Sequence, residues 1–131
     1  MSGEKREAKT LALSPLGHTW ILDLDGTLVK HNGYKTDGHD TLLAGAREFL
    51  ESIPPGDMVV VITSRGEEDR EATGRFLAEQ GVRHDHIIYG APLGERILLN
   101  DRKPSGLATA VAVNVERDGG PSVGVVVDGA L

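Results

Sequence analysis

Apolar positions along the chain fall into short blocks separated by turn-forming residues. Trp20-Ile21-Leu22-Asp23-Leu24-Asp25 is an apolar run stopped by Gly26, and Met58-Val59-Val60-Val61-Ile62 is a more continuous one stopped by Thr63-Ser64-Arg65-Gly66. Runs that stay apolar at successive positions predict strands buried on both faces, the pattern of a parallel sheet. Between them Leu42, Ala46, Phe49, Leu50 and Ile53 recur at helical spacing, with Asp40 or Thr41 as N-cap and Pro54-Pro55-Gly56 as a stop. After the second strand, Glu67, Glu68 and Asp69 place negative charge on the first turn of a helix. Its apolar face is Ala72, Phe76 and Leu77, and Gly81 closes it.

His86-Ile87-Ile88-Tyr89 and Arg96-Ile97-Leu98-Leu99-Asn100 predict two further strands. The Gly90 to Glu95 connection is shorter than a helical crossover, so an extended strap of about 20 Å is expected in its place. The end of the chain, Ala108 to Val115 and Val123 to Val127 around Asp118-Gly119-Gly120-Pro121, reads as a closing hairpin or as a helix followed by a strand. The charged start, residues 1–17, reads as a mobile tail ending in the turn Ser14-Pro15-Leu16-Gly17. Residues 18–131 then form a single domain. The expected fold class is α/β, a Rossmann-like three-layer sandwich with a mainly parallel central sheet.

Composition sharpens this picture in three ways. A length of 131 residues suits one domain, and 39% hydrophobic residues with 17 glycines suit an ordinary globular core. Twenty acidic against fourteen basic residues give a net charge of −6, which argues against nonspecific attraction to nucleic acid or anionic membrane, so neither partner is expected. The absence of cysteine excludes a disulfide framework, a thiolate zinc site and a cysteine nucleophile. No leader-like apolar stretch opens the chain and no run nears the length of a membrane span, so a soluble, cytoplasmic protein is expected.

Candidate chemistry centres on Asp23-Leu24-Asp25-Gly26-Thr27. Two carboxylates two residues apart share one side of the pleat at the C-terminal end of a buried strand, the edge where open α/β sheets bind ligands. Such a pair concentrates negative charge that a cation must compensate, and hard oxygen donors suit Mg²⁺. Gly26 allows close backbone approach, and amide groups in the turn after it are candidates for cradling a phosphate.

With its Asp-x-Asp-x-Thr segment after an apolar strand, Trp20 to Thr27, the sequence resembles the haloacid dehalogenase (HAD) superfamily of phosphohydrolases. The resemblance implies that Asp23 is a nucleophile forming an aspartyl-phosphate, and that Asp25 protonates the leaving group and then activates water. It also implies that Asp23 and the backbone carbonyl of Asp25 ligate Mg²⁺. The family's second motif, a Thr or Ser ending the next apolar strand, is matched by Thr63, whose hydroxyl would bind a phosphoryl oxygen together with the amides of Ser64 and Arg65. Asp101, after Arg96-Ile97-Leu98-Leu99-Asn100, matches the acidic fourth motif and would complete the metal site.

The third-motif lysine departs from the pattern, because no Lys lies between the third and fourth predicted strands; Lys103 is the nearest candidate. A rival register takes Lys103-Pro104 as the third motif and Asp128, after Val123 to Val127, as the fourth. The short insertion points imply an HAD core without a cap domain, its open site covered either by a neighbouring subunit or by the surface of a large substrate, and a homo-oligomer acting on a small ester is the favoured expectation. The stretch Asn100-Asp101-Arg102-Lys103-Pro104-Ser105-Gly106 resembles HAD-like proteins of polysaccharide biosynthesis, implying a small sugar or polyol phosphate as substrate. The expected function is therefore a Mg²⁺-dependent phosphatase; a catalytically inactive binding module and a phosphotransferase are the alternatives. The segment Leu28 to Gly38, with Lys30, His31 and Tyr34, reads as an exposed loop over the first motif.

Overall fold

The computed structural model describes residues 9–131. Among the described residues, five strands form two separate parallel sheets, instead of the single central sheet expected, and three short α-helices lie between the strands, the first, α1 (Gly33–Thr36), within the segment read as an exposed loop. Three strands, β2 (Thr19–Asp23), β3 (Met58–Ile62) and β4 (His86–Ile88), form one sheet in the order β2-β3-β4. All its pairings are parallel, with Asp23 opposite Ile62 and Ile62 opposite Ile88. Both linking segments are helical, with α2 (Ala46–Ser52) following α1 before β3 and α3 (Arg70–Glu79) before β4, so the central part keeps the predicted order of strands and helical crossovers.

The second sheet pairs β1 (Lys9–Leu13) with β5 (Val123–Val127), also in parallel, from Lys9 opposite Val123 to Leu13 opposite Val127. The expected tail is thus corrected over residues 9–13, which are ordered by five backbone partners far along the chain; the rest of that expectation, residues 1–8, lies outside the described residues. Of the two readings of the chain's end, the strand Val123–Val127 is present and residues 108–115 form neither helix nor strand.

The predicted strand over Arg96–Asn100 is absent. These residues are irregular, with Ile97 80% and Leu99 87% exposed, and they pair with no strand. A strand apolar on both faces needs a sheet edge with two covered faces, and here neither sheet has taken the segment up.

The helix predicted from Leu42 starts at Ala46 instead. Backbone pairing explains the delay: Leu42 bridges Val29 antiparallel, with Lys30 N–H to the Thr41 carbonyl at 2.9 Å and Leu43 N–H to the Leu28 carbonyl at 2.9 Å. Those amides are committed before the helix can use them, and Gly45 turns the chain at φ 84° to begin α2. Extended Ile53 then ends it before Pro54-Pro55, as expected for a residue that precedes proline. At the far end of α3, Gly81 adopts φ 66° and donates to the Ala78 carbonyl while Val82 donates to Leu77, the closure its position predicts.

The core fills the space between the three-stranded sheet and its helices. Leu22, Leu24, Leu28, Val29, Val59 and Val61 meet Phe49, Leu50 and Ile53 of the α2 region and Leu77 of α3. Trp20 packs edge-on to Phe49, with ring centroids 5.8 Å apart, an arrangement that suits the opposed charge of ring face and ring edge. Trp20 Nε1 also donates to Asp57 at 2.9 Å, so the indole's one polar atom is satisfied. Because the strands run parallel, the C-terminal ends of β2 and β3 open side by side, and that edge carries the acidic segment.

Candidate functional site

The chain leaves β2 through a tight turn. Thr27, Leu28 and Val29 all donate backbone N–H groups to the Leu24 carbonyl, while Gly26 N–H donates to the Val29 carbonyl at 2.7 Å. Gly26 sits at φ 86°, where a side chain is strained, and a Cβ there would lie 3.3 Å from Arg117 Cγ. The expected phosphate cradle at Gly26 is therefore corrected: the amides from Gly26 to Val29 already hold the turn together.

Two carboxylates emerge from this turn into different surroundings. Asp23, with its side chain 39% exposed, receives Thr27 Oγ1–H on Oδ2 at 3.1 Å and Arg96 Nη1–H on Oδ1 at 3.0 Å. Asp25 is held on both oxygens by Arg65, from Nε to Oδ2 at 3.0 Å and from Nη2 to Oδ1 at 2.8 Å. Arg65 itself is only 5% exposed, at the end of the apolar β3 run. Its remaining donors reach Asp40, at 2.9 Å from Nη1 and 2.7 Å from Nη2, and Thr73 Oγ1 at 3.0 Å. The Tyr34 ring lies against the guanidinium, 3.8 Å from Cζ to the ring centroid. Burial works against the Arg65 charge, but the hydrogen bonds and fields of Asp40 and Asp25 outweigh it and raise its proton affinity above the usual arginine value.

Thr63 stands at the exit of β3 but is 1% exposed, and its Oγ1 accepts the Arg65 backbone N–H at 3.1 Å. The hydroxyl caps its own turn, and the Arg65 amide expected to face an anion points at it. Ser64, between the two, is partly buried. Asp101 lies on the irregular, exposed segment beyond Asn100, where its carbonyl accepts the Thr109 hydroxyl. Lys103 is likewise exposed, in a turn closed by its own N–H to the Leu107 carbonyl and by Gly106 N–H to its carbonyl. Asp128 follows β5, in the other sheet.

The residues present fit the expected Mg²⁺ poorly in this arrangement. Asp101 sits on a different, exposed segment, so of the implied donors only the Asp23 carboxylate and the Asp25 backbone carbonyl come from one place in the fold, and the Asp25 carboxylate beside them is filled by a guanidinium fork. Among the described residues no three His, Asp or Glu side chains gather as a metal-holding group.

Sequence reasoning missed the side chains of Arg65 and Arg96, having used Arg65 only for its amide. Arg65 carried a signal: it is a basic residue directly at the end of an apolar run, where burial demands paired carboxylates. Arg96 carried none, because it sits on an irregular segment and its contact with Asp23 spans 73 residues. A groove of about 420 Å³, lined by Leu42, Leu50, Ile53, Pro55 and Val82 among others, lies toward the residues that precede β3 and β4. It is not at the carboxylate edge. No helix of the described residues is long and apolar enough to cross a membrane.

No family model and no curated protein matches the sequence. Two solved chains of the Pnkp1/Rnl/Hen1 RNA repair complex are similar, at 25% and 24% identity over 71% and 72% of this chain, each with a TM-score of 0.48. The chain spans about a third of their length, 32% and 35%. The expected membership of the haloacid dehalogenase superfamily is corrected here: no family match supports it, and the similar structures are those of an RNA repair complex.

Proposed function

We propose that the chain hydrolyses small phosphate monoesters through a phosphoryl group carried on Asp23. One observation supports this reading above the others: Asp23 is a half-exposed carboxylate at the open end of a parallel sheet, with a guanidinium 3.0 Å from one oxygen and a hydroxyl 3.1 Å from the other. Arg96 is a planar cation suited to pair with phosphoryl oxygens as it now pairs with the carboxylate.

In the first step an Asp23 oxygen attacks phosphorus, the ester P–O bond breaks, and the leaving oxygen takes a proton from solvent at the open edge. In the second, water attacks phosphorus and releases inorganic phosphate from Asp23, its proton passing to Asp25. A carboxylate that accepts an N–H on each oxygen is presented as an acceptor, which suits the base role more than the acid role. Negative charge that builds on the phosphoryl oxygens is stabilised by Arg96 and by the Thr27 hydroxyl. The cation that the sequence assigned to Lys103 is thereby assigned to Arg96. The open edge has few walls of its own, which favours a small sugar or polyol phosphate enclosed by a second copy of the chain.

Phosphate release is measured across sugar, polyol and nucleotide monophosphates, with Mg²⁺ and with EDTA, for the wild-type chain and for Asp23→Asn. The expected result is turnover of a sugar or polyol phosphate that Asp23→Asn reduces by about 10³-fold or more, with its thermal unfolding little changed. The Mg²⁺ and EDTA arms show whether a metal joins Asp23 during the reaction. Turnover by Asp23→Asn at the wild-type rate would remove the nucleophile. No release from any ester, with transfer to another acceptor also absent, would leave a noncatalytic binding module.

A further inference from the structure

Asp40 has no part in the chemistry above, yet it is among the most enclosed carboxylates described, its side chain 7% exposed. It lies in the connection between β2 and α2, fifteen residues beyond Asp25 in the sequence. A guanidinium has five N–H donors in one plane. All five of Arg65 are used: Nε and one Nη2 hydrogen on Asp25, the other Nη2 hydrogen and one Nη1 hydrogen on Asp40, the last on Thr73 Oγ1. Tyr34, eleven residues short of Gly45 on the same connection, closes one face of the plane at 3.8 Å. The guanidinium therefore has no rotation open to it that keeps its hydrogen bonds, and the fork it offers Asp25 has one orientation.

We propose that Asp40 is a positioning residue for Asp25, acting through Arg65, with Tyr34 as the support beneath the guanidinium. The inference rests on the reading of Asp25 as the group that receives the proton of attacking water. With Asp40 in place, the Asp25 carboxylate is held at one angle to the phosphoryl group on Asp23. With Asp40 neutral, one edge of the guanidinium loses its second fork, Arg65 pivots about its contacts with Thr73, and the Asp25 oxygen leaves the line of the attacking water. Loss falls on breakdown of the phosphoenzyme, which needs Asp25, and not on its formation or on ester binding.

The test compares wild-type chain, Asp40→Asn, Asp40→Glu and Tyr34→Leu, using the sugar or polyol phosphate turned over fastest. Steady-state kcat and KM are measured, and the fraction of chain carrying acid-stable, hydroxylamine-labile phosphate is quenched and counted. For Asp40→Asn the expected result is a kcat lower by about tenfold or more at a KM within about threefold, with a higher phosphorylated fraction at steady state. Asp40→Glu, which keeps the charge, restores part of kcat, and Tyr34→Leu shows the same signature more weakly. A merely structural role for Asp40 moves the folded fraction and leaves the phosphorylated fraction per folded molecule unchanged, and that outcome overturns the proposal. Should Asp40→Asn fail to fold, Tyr34→Leu with unchanged kcat and phosphorylated fraction overturns it alone. Absence of phosphoenzyme in the wild-type chain is a failure of the parent reading, and it is distinguishable from an unaltered phosphoenzyme in the variants.

Discussion

Asp23 and Arg96 meet across 73 residues of chain, and their 3.0 Å contact puts the cation of the site on an arginine. The consequence is directly measurable. Arg96→Ala is expected to slow phosphate release by about 10- to 100-fold, below the roughly 10²- to 10³-fold of an enclosed charge-stabilising donor because Arg96 is 37% exposed. Lys103→Ala, altering an exposed turn, is expected to stay within about threefold of the wild-type rate; the reverse order of the two variants would restore Lys103 to the site. At this scale the sequence was legible where a side chain's neighbours are local. Asp23, Asp25 and Thr63 end apolar strands, and their places at one sheet edge follow from strand pattern and parallel pairing. It was illegible where chemistry depends on distant partners: nothing near Thr63 announces that its hydroxyl faces the Arg65 amide, and nothing near Asp25 announces a guanidinium already on both of its oxygens.

Elements were readable in proportion to how much of their shape is decided by their own residues. The β3 run is apolar at every position and stiff and β-branched from Val59 to Ile62, and it forms over Met58–Ile62 as its pattern predicts. The start of α2 was misread because hydrogen bonds joining the Thr41 carbonyl to Lys30 N–H and Leu43 N–H to the Leu28 carbonyl override helical spacing, and the Arg96–Asn100 strand was misread because pairing needs a partner edge that pattern alone does not supply. At the start of β2, Asp57 accepts the His18 N–H at 3.1 Å, the His18 ring at 2.7 Å and Trp20 Nε1 at 2.9 Å. Burial tends to lower the His18 proton affinity, but the bonds to Asp57 and to the Ser14 carbonyl raise it above the usual 6.5. Burial likewise works against the Asp57 charge, yet donors from Trp20 and His18 hold its carboxyl below the usual 3.8.

The signs give a pH window for this tie. A raised histidine contributes stability that is complete below pH 6.5 and is lost as pH climbs through its folded value, while a depressed aspartate contributes above 3.8 and is lost as pH falls below it. The tie is therefore strongest between those limits. Chemical denaturation from pH 5 to 8 is expected to show a falling midpoint toward pH 8 that His18→Gln flattens. Asp57→Ala is expected to cost about 2–4 kcal/mol, because it strands three donors at once. A His18→Gln profile parallel to that of the wild-type chain would separate the tie from the pH dependence. A second element-level test concerns Gly120, at φ 83°, where a Cβ would stand 2.4 Å from the Ala44 carbonyl oxygen beside the start of α2. Gly120→Ala is expected to destabilise by about 1–3 kcal/mol in the same assay, since backbone on both sides must move.

For the molecule as a whole, α/β class and parallel pairing were legible because buried apolar runs alternating with helical patterns leave few alternatives. The division into two sheets was not, since it depends on β1 and β5 finding each other from opposite ends of the chain. Function at this scale reduces to whether the open end of β2 carries out covalent chemistry on phosphorus. The most direct measurement is acid quench of the chain during turnover of a sugar or polyol phosphate, followed by mass analysis of the peptide spanning Asp23. A phosphoryl group on Asp23 that hydroxylamine removes and that Asp23→Asn never acquires is the predicted result. Turnover with no phosphorylated peptide, or with the phosphoryl group on another residue, would contradict it.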